Sequence, residues 1–166
     1  WSSDVCSSDL AAACLLSCSR EPEIRFPGPG DPLPPFTVTL SDGTSVNSGD
    51  YAGRGGIVAF FHTSCPDCRE ELPVLQKLYD GLNGDVPFAL ISRSQGKTPI
   101  SSYWEENGFS MPFSPQRDRN VYSLFAENVI PRVYVVGTDG IILAVFTDDP
   151  LFSENDLYLV PGFTTR

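Results

Sequence analysis

The sequence predicts an α/β protein in which a mixed β-sheet is flanked by helices. Two apolar runs, residues 57–61 and 87–92, have the length and composition of buried parallel strands, and a helical pattern follows each of them. Near the end of the chain, residues 133–136 and 141–146 flank a Thr-Asp-Gly turn signal and predict an antiparallel hairpin. Strands that alternate with helices and end in a hairpin give a mixed sheet covered on both faces.

The composition is that of one globular domain with additional terminal segments. The chain has 166 residues, of which 41% are hydrophobic, and this suffices for a single substantial core. It carries 11 Lys and Arg residues against 21 Asp and Glu residues, which gives a net charge of −10. This acidic balance disfavours binding to nucleic acids and direct contact with an anionic membrane surface.

Residues 1–18 are predicted to be a leader outside the folded domain. Residues 1–10 begin without methionine and carry aspartates where a signal peptide is positively charged, so we interpret them as a scar or a misread start. Residues 10–16 form a short apolar run, and with the following Ser17-Cys18 they resemble the lipobox of bacterial lipoproteins. We therefore expect Cys18 to be lipidated and to anchor the protein to the bacterial cell envelope, facing the periplasm. The alternative is an ordinary apolar tail with an unrelated cysteine.

The segment after the leader, residues 19–35, is rich in proline and glycine and predicts an extended tether. No other segment approaches the roughly 20 apolar residues that a membrane-spanning helix requires. We assign residues 36–150 to the folded domain. Residues 151–166 are interpreted as an atypical or truncated tail, in which Ser153 caps only a short turn.

Turn and cap signals divide the domain further. Residues 36–40 alternate apolar and polar side chains before a Ser-Asp-Gly turn, which predicts an N-terminal β-hairpin. Thr98 is expected to cap the second helix with Pro99 at its first position, and Gly108 is expected to end it. Asp118 is expected to cap one further short helix.

Two cysteines lie where the first buried strand gives way to a helix. Pro66 suits the first position of that helix, which places Cys65 at the N-cap. The free N–H groups and the positive end of the helix dipole favour the thiolate form of Cys65, which makes it the candidate nucleophile. Cys68 follows three residues later, where a resolving thiol would lie. The spacing therefore predicts a reversible dithiol/disulfide pair.

Two other uses of this cysteine pair have less support in the sequence. A structural disulfide between cysteines so close in sequence closes a very small loop and gains little chain entropy. A zinc site needs two more ligands, but His62 is the only histidine and the remaining cysteines all belong to the predicted leader. We therefore predict no metal site, and we assign no catalytic role to His62.

Two motifs carry a resemblance to a known family: Cys65-Pro66-Asp67-Cys68 with Glu71 behind it, and Ile130-Pro131 immediately before a predicted strand. Together they resemble the TlpA/ResA-type branch of the thioredoxin-like proteins, over residues 36–146. The resemblance implies a thioredoxin-like three-layer sandwich with an N-terminal β-hairpin extension. It also implies a thiol–disulfide oxidoreductase that uses no cofactor, with disulfide- or dithiol-containing proteins and an upstream electron donor as partners.

The same resemblance suggests roles for single residues. It implies that Pro131 is a cis-proline lying against the cysteines, that the Ile130 backbone pairs with an extended substrate segment, and that Pro66 adjoins this surface. It also implies that Glu71, one helical turn beyond Cys68, exchanges protons with the buried thiol. The alternative for Glu71 is an exposed carboxylate in the first turn of the helix.

The chain departs from this family at the motif itself, and two other families fit its residues less well. The family usually has tryptophan where this chain has Ser64, and Gly-Pro or Glu-Pro inside the motif instead of Pro66-Asp67. A peroxiredoxin-like peroxidase would need proline and threonine where this chain has Val58 and His62. A Sco-type copper chaperone would need thiols spaced one residue wider and a histidine further along the chain, and no histidine follows His62.

Overall fold

The computed structural model describes residues 25–163. The predicted leader with Cys18, the first residues of the predicted tether and the last three residues of the chain lie outside this range. The described strands and α-helices follow in the order β1 (Thr37–Thr39), β2 (Ser45–Asn47), β3 (Gly56–Phe61), α1 (Pro66–Leu82), β4 (Phe88–Ser92), α2 (Lys97–Asn107), β5 (Arg132–Val136), β6 (Ile142–Phe146) and α3 (Glu154–Leu159).

A four-stranded mixed sheet in the order β4-β3-β5-β6 forms the centre of the domain. β3 pairs in parallel with β4 and antiparallel with β5, which in turn pairs antiparallel with β6. Every residue of β3 is buried, because the strand has a neighbour on each side and is covered on both faces. The predicted mixed sheet and its C-terminal hairpin are thereby confirmed.

The α-helices α1 and α2 pack on one face of this sheet. Tyr79 of α1 lies against the ring of Phe88, and Trp104 of α2 lies against Phe61, with ring centroids 5.5 and 5.2 Å apart. α3 contacts α1 near the start of that helix. The start of α1 thus lies in a layer of packed helices, beside the carboxyl end of β3 in the sheet.

The opposite face is covered by two short 3₁₀ helices, Ser48–Tyr51 and Tyr122–Leu124, and by the predicted N-terminal hairpin. Phe60 of β3 lies 4.8 Å from the ring of Phe125, which in turn contacts Phe36 beside β1 at 5.8 Å. Aromatic packing therefore joins the hairpin to the central sheet and completes a three-layer arrangement.

Part of the predicted tether lies along the edge of the sheet. Gly30 donates its N–H to the carbonyl of Ile142 at 2.8 Å, and Leu33 donates to the carbonyl of Gly140 at 2.9 Å. Pro32 forms a single bridge with Ile141 between these two bonds. Unpaired groups at the edge of β6 thus find partners within the chain.

One of the two predicted boundaries of α2 is wrong. α2 begins at Lys97 after an extended Gly96, earlier than the predicted start at Pro99 after Thr98. Proline is tolerated there because N–H groups in the first helical turn have no partner inside the helix. The predicted end at Gly108 is confirmed, with φ at 68° and its N–H bonded back to the helix.

The helix predicted after Asp118 is reduced to the single 3₁₀ turn Tyr122–Leu124. The Asp118 carboxylate accepts from the N–H of Asn120 in a local turn instead of capping a helix. The Tyr122 hydroxyl donates to the carbonyl of Val129 at 2.8 Å, and this bond holds the chain in a compact loop before β5.

The predicted cap at Ser153 is present. Its side chain and backbone bond with Asp156 in a capping box, and the helix that follows is six residues long. In the described part of the chain, every helix is too short or too polar to span a bilayer.

Candidate active site

The sulfur of Cys65 lies at the carboxyl end of β3, where α1 begins. Cys65 is the N-cap of α1 with φ −82° and ψ 124°, and Pro66 occupies the first turn. The Cys65 N–H donates to the carbonyl of His62 at 3.0 Å, which closes the turn between strand and helix. The side chain is half-buried, so one side of the sulfur is accessible. The predicted N-cap position is confirmed.

Cys68 lies deeper in α1 and is fully buried. Both thiols are free in the structure, which therefore represents the reduced pair. Burial raises the pKa of the Cys68 thiol above its ordinary value, and the neighbouring Cys65 and Glu71 side chains act in the same direction. The pair thus consists of an accessible outer sulfur and a protonated inner thiol.

Glu71 is buried beneath the pair, with 2% of its surface exposed. Its Oε1 accepts the N–H of Phe152 at 3.1 Å, from the segment that leads into α3. Burial raises the pKa of Glu71 to about 7, although this hydrogen bond opposes the rise. The alternative of an exposed first-turn carboxylate is therefore wrong for Glu71, whereas the adjacent Glu70 is exposed.

The loop before β5 completes the site. The peptide bond between Ile130 and Pro131 is cis, and both residues are buried. The Cys65 thiol donates to the Ile130 carbonyl, with 3.6 Å between sulfur and oxygen. Pro66 is exposed next to Cys65. The structure therefore brings the predicted loop residues and the cysteine motif together, although they lie more than sixty positions apart in sequence.

His62 contacts the cysteine turn through its ring. Its Nδ1 accepts the N–H of Ser64 at 3.1 Å. Partial burial lowers the pKa of His62, and the positive charge of Arg93 lowers it further, so the ring is neutral at pH 7. Within residues 25–163, no group of three or more His, Cys, Asp or Glu side chains is placed to hold a metal ion.

A buried polar pair that the sequence analysis missed fixes the turn before Cys65. The Thr63 N–H donates to Oε1 of Gln95 at 3.0 Å, and Nε2 of Gln95 donates to the Thr63 hydroxyl at 2.6 Å. Gln95 follows β4, whose carboxyl end lies beside that of β3. A polar residue after each of two neighbouring parallel strands is the signal that could have revealed this pair.

Substituting Gln95 with alanine is expected to lower the free energy of unfolding by about 2 kcal/mol, because it leaves a buried Thr63 N–H without a partner. Urea denaturation of the reduced protein measures this loss. Gln116 is the matched control, since its side chain is only partly buried and donates to the Ser114 hydroxyl. Equal losses in Gln95→Ala and Gln116→Ala would contradict the role given to the buried pair.

A second group missed by the sequence analysis supports the loop that carries Ile130. The guanidinium groups of Arg93 and Arg119 both lie over the ring of Tyr122, at 5.6 and 5.3 Å from its centroid. Arg119, Arg93 and the Tyr122 hydroxyl donate, in that order, to the three consecutive carbonyls of residues 127–129. These residues follow no periodic spacing, so no sequence pattern indicated them.

The mixed sheet, the dithiol at the start of α1 and the cis-proline loop beside it define a thioredoxin-like protein. The chain belongs to the Redoxin family, whose model matches residues 28–158. Its fold is similar to that of the thioredoxin domain of a thiol-disulfide oxidoreductase from Bacteroides vulgatus, with a TM-score of 0.64 and 24% identity over 79% of this chain and 93% of that one. A secreted thiol-disulfide isomerase from Corynebacterium glutamicum has a TM-score of 0.64 and 21% identity, over 78% of this chain and 83% of that one.

Among curated proteins, the chain is similar to the thiol-disulfide oxidoreductase ResA of Bacillus subtilis. The two are 21% identical over 119 residues, which cover 71% of this chain and 66% of that protein. The match to ResA of Halalkalibacterium halodurans covers 64% of that protein. The chain thus spans just under two thirds of the length of these relatives.

Proposed function

We propose that this protein is a thiol–disulfide oxidoreductase that exchanges disulfides with partner proteins through Cys65 and Cys68. One observation carries the proposal: an accessible sulfur at a helix N-terminus faces the Ile130 carbonyl, with a second thiol buried in the same helix. The accessible sulfur can form a bond with a partner, and the buried thiol can release it.

The first step is attack by the Cys65 thiolate on one sulfur of a partner disulfide. A bond forms between Cys65 and that sulfur, the partner's disulfide breaks, and its other sulfur leaves as a thiolate. The sulfur lies at the N-cap of α1, and in the structure its thiol donates to the Ile130 carbonyl. Pro66, exposed beside the sulfur, adjoins the surface where the partner would lie.

The second step is attack by Cys68 on the Cys65 sulfur, which releases the partner's remaining sulfur as a thiolate. The pair loses two electrons in forming its own disulfide, and the partner gains them. Because burial keeps Cys68 protonated, its proton must be removed first. Glu71 is the proposed acceptor, since it is buried in the same helix and its pKa of about 7 lets it gain or lose a proton near neutral pH.

The proposed partner lies along the loop that carries Ile130. An extended segment with its cysteine above Cys65 would place its backbone beside the Ile130 carbonyl, and Pro131 would support it from below. Reduction of successive partners requires an upstream electron donor that returns the Cys65–Cys68 disulfide to the dithiol. With electron flow reversed, the same steps oxidise a partner dithiol.

The proposed setting is the outside of the cytoplasmic membrane, with Cys18 as a lipid anchor. The apolar run before Ser17-Cys18 supports the anchor. The name of the similar secreted protein from Corynebacterium glutamicum supports the compartment.

Trapping with a Cys68→Ala variant tests the proposed function. The reduced variant, mixed with insulin as the disulfide substrate, should accumulate a mixed disulfide that peptide mapping assigns to Cys65. The wild-type protein should reduce insulin without accumulating this species. The absence of any adduct at Cys65, together with a wild-type pair that forms no Cys65–Cys68 disulfide, would overturn the proposal.

A further inference from the structure

Three arginines gather around Tyr122 in a protein whose net charge is −10. Burial raises the pKa of the Tyr122 hydroxyl, and the positive charges of Arg93, Arg132 and Arg119 all oppose that rise, so all three are close to it. In the part of the chain that the structure describes, none of the three forms an ion pair with a carboxylate. None of the three guanidinium groups is therefore in direct contact with a negative charge of the described residues.

The hydrogen bonds of these arginines leave donors free. Arg93 and Arg119 each donate to a neutral backbone carbonyl, and Arg132 donates to the Tyr134 hydroxyl at 3.2 Å. The Nε–H of Arg132 has no acceptor among residues 25–163, but it is buried and so is not one of the donors open to a partner. A guanidinium group has five N–H donors. The N–H donors of these arginines that make no hydrogen bond can therefore bind an additional anion, while the contacts to the loop are kept.

The arginines border the proposed path of a partner segment. Arg93 follows β4, donates its backbone N–H to the carbonyl of Phe61 at the end of β3, and acts electrostatically on His62. The carbonyls that Arg93 and Arg119 contact belong to the loop that ends at Ile130. Val129, in the same loop, is 37% exposed and offers an apolar contact beside these charges.

We propose that Arg93, Arg119 and Arg132 form a basic surface that binds carboxylate side chains flanking the reactive cysteine of an extended partner segment. Arginine is suited to this because its planar donors match a carboxylate in two-point hydrogen bonding. An otherwise acidic chain repels an acidic partner, so a local basic surface beside the active site orients such a partner as it approaches. This inference rests on the proposed function, because it concerns the partner of the same cysteine pair.

Two fluorescence-quenched disulfide peptides test the inference. They are identical except that Asp and Glu residues flanking the disulfide in one are Asn and Gln in the other. Reduced full-length protein, freed of added thiol, is mixed in excess with each peptide, and the second-order rate constants of reduction are compared. The acidic peptide is expected to react about tenfold faster at low ionic strength, and the advantage is expected to shrink as salt is added.

Substitutions of single arginines distinguish recognition of the partner's negative charge from support of the loop that carries Ile130. Arg119→Gln should reduce the ratio of the two rate constants by about threefold, and Arg119→Lys should retain most of it. Arg54 is the matched control, because it is also exposed and donates to backbone carbonyls, those of Gly84 and Asp85, but it precedes β3 at the opposite end of the sheet. Arg54→Gln should leave the ratio unchanged.

Equal rate constants for the two peptides with the wild-type protein would overturn the inference and leave the proposed function standing. A loss in Arg119→Gln that is the same for both peptides would also overturn it, since that loss would show a purely supporting role. The comparison with wild-type protein needs no variant and is unaffected if a substitution impairs folding. If neither peptide were reduced at all, the proposed function itself would fail, and this inference with it.

Discussion

Replacing Cys65 with serine is expected to lower the rate of disulfide exchange by at least roughly a thousandfold, because a hydroxyl at this position does not attack a disulfide. In the Cys68→Ala variant, the exchange reaction is expected to stop one step later, when Cys65 is already bonded to the partner. The two variants should therefore fail in different ways, one without any adduct and one with a stable adduct. Insulin reduction with dithiothreitol as electron source measures the loss of rate. Non-reducing gels of reduced protein that is freed of dithiothreitol and then mixed with insulin show whether the adduct forms.

The matched control for this prediction is Ser64→Ala. Ser64 is exposed and adjacent to Cys65, and the variant should retain the wild-type rate. Circular dichroism of Cys65→Ser should match that of the wild-type protein, since the sulfur is only half-buried. A Cys65→Ser variant that kept more than about a tenth of the activity would contradict the assignment of the nucleophile.

Replacing Glu71 with glutamine is expected to remove a large pH dependence of stability. The pKa of Glu71 is raised from its ordinary 4.5 to about 7 by burial. Between these two values the folded protein holds a proton that the unfolded chain has released, so the free energy of unfolding falls as pH rises. The stabilisation that protonated Glu71 gives to the folded protein is complete below pH 4.5 and is lost as pH rises past 7. It amounts to about 3 kcal/mol in total.

Glutamine keeps the oxygen that accepts the Phe152 N–H but carries no charge at any pH. The free energy of unfolding of Glu71→Gln minus that of the wild-type protein should therefore be larger at pH 8 than at pH 4, by up to about 3 kcal/mol. Urea denaturation of the reduced proteins across this pH range measures the difference. The control is Glu70→Gln, an exposed neighbour in the same helix, which should change stability by less than about 0.5 kcal/mol. Free energies of unfolding that change with pH in the same way in the wild-type protein and in Glu71→Gln would contradict a raised pKa of the buried Glu71 carboxyl.

The sequence predicted those parts of the site that depend on neighbours along the chain. A buried strand, a proline at the first helical position and a three-residue spacing were enough to place Cys65 at the N-cap and Cys68 one turn further. The strands were equally predictable from the sequence, because runs of branched and aromatic residues between turn signals suit buried strands. The proximity of Ile130 to Cys65 came from family resemblance alone, since no local signal joins two such distant segments.

Contacts between distant polar side chains could not be predicted. Gln95 pairs with Thr63, and Arg93 and Arg119 share one tyrosine ring, but neither group follows a helical or strand period. The predicted start of α2 failed for a related reason. Several residues near a helix start can serve as its cap, and packing selects among them.

The bond between Phe152 and Glu71 joins residues 81 positions apart, and it holds the segment that leads into α3 against the buried carboxyl. A change in the segment that leads into α3 could admit water to this carboxyl and return its titration to the ordinary acidic range. If Glu71 accepts the Cys68 proton as proposed, the pH at which it does so would then change, although both cysteines would be unaltered. On the proposed mechanism, the pH dependence of disulfide exchange would thus depend on a residue that lies 81 positions from Glu71 along the chain.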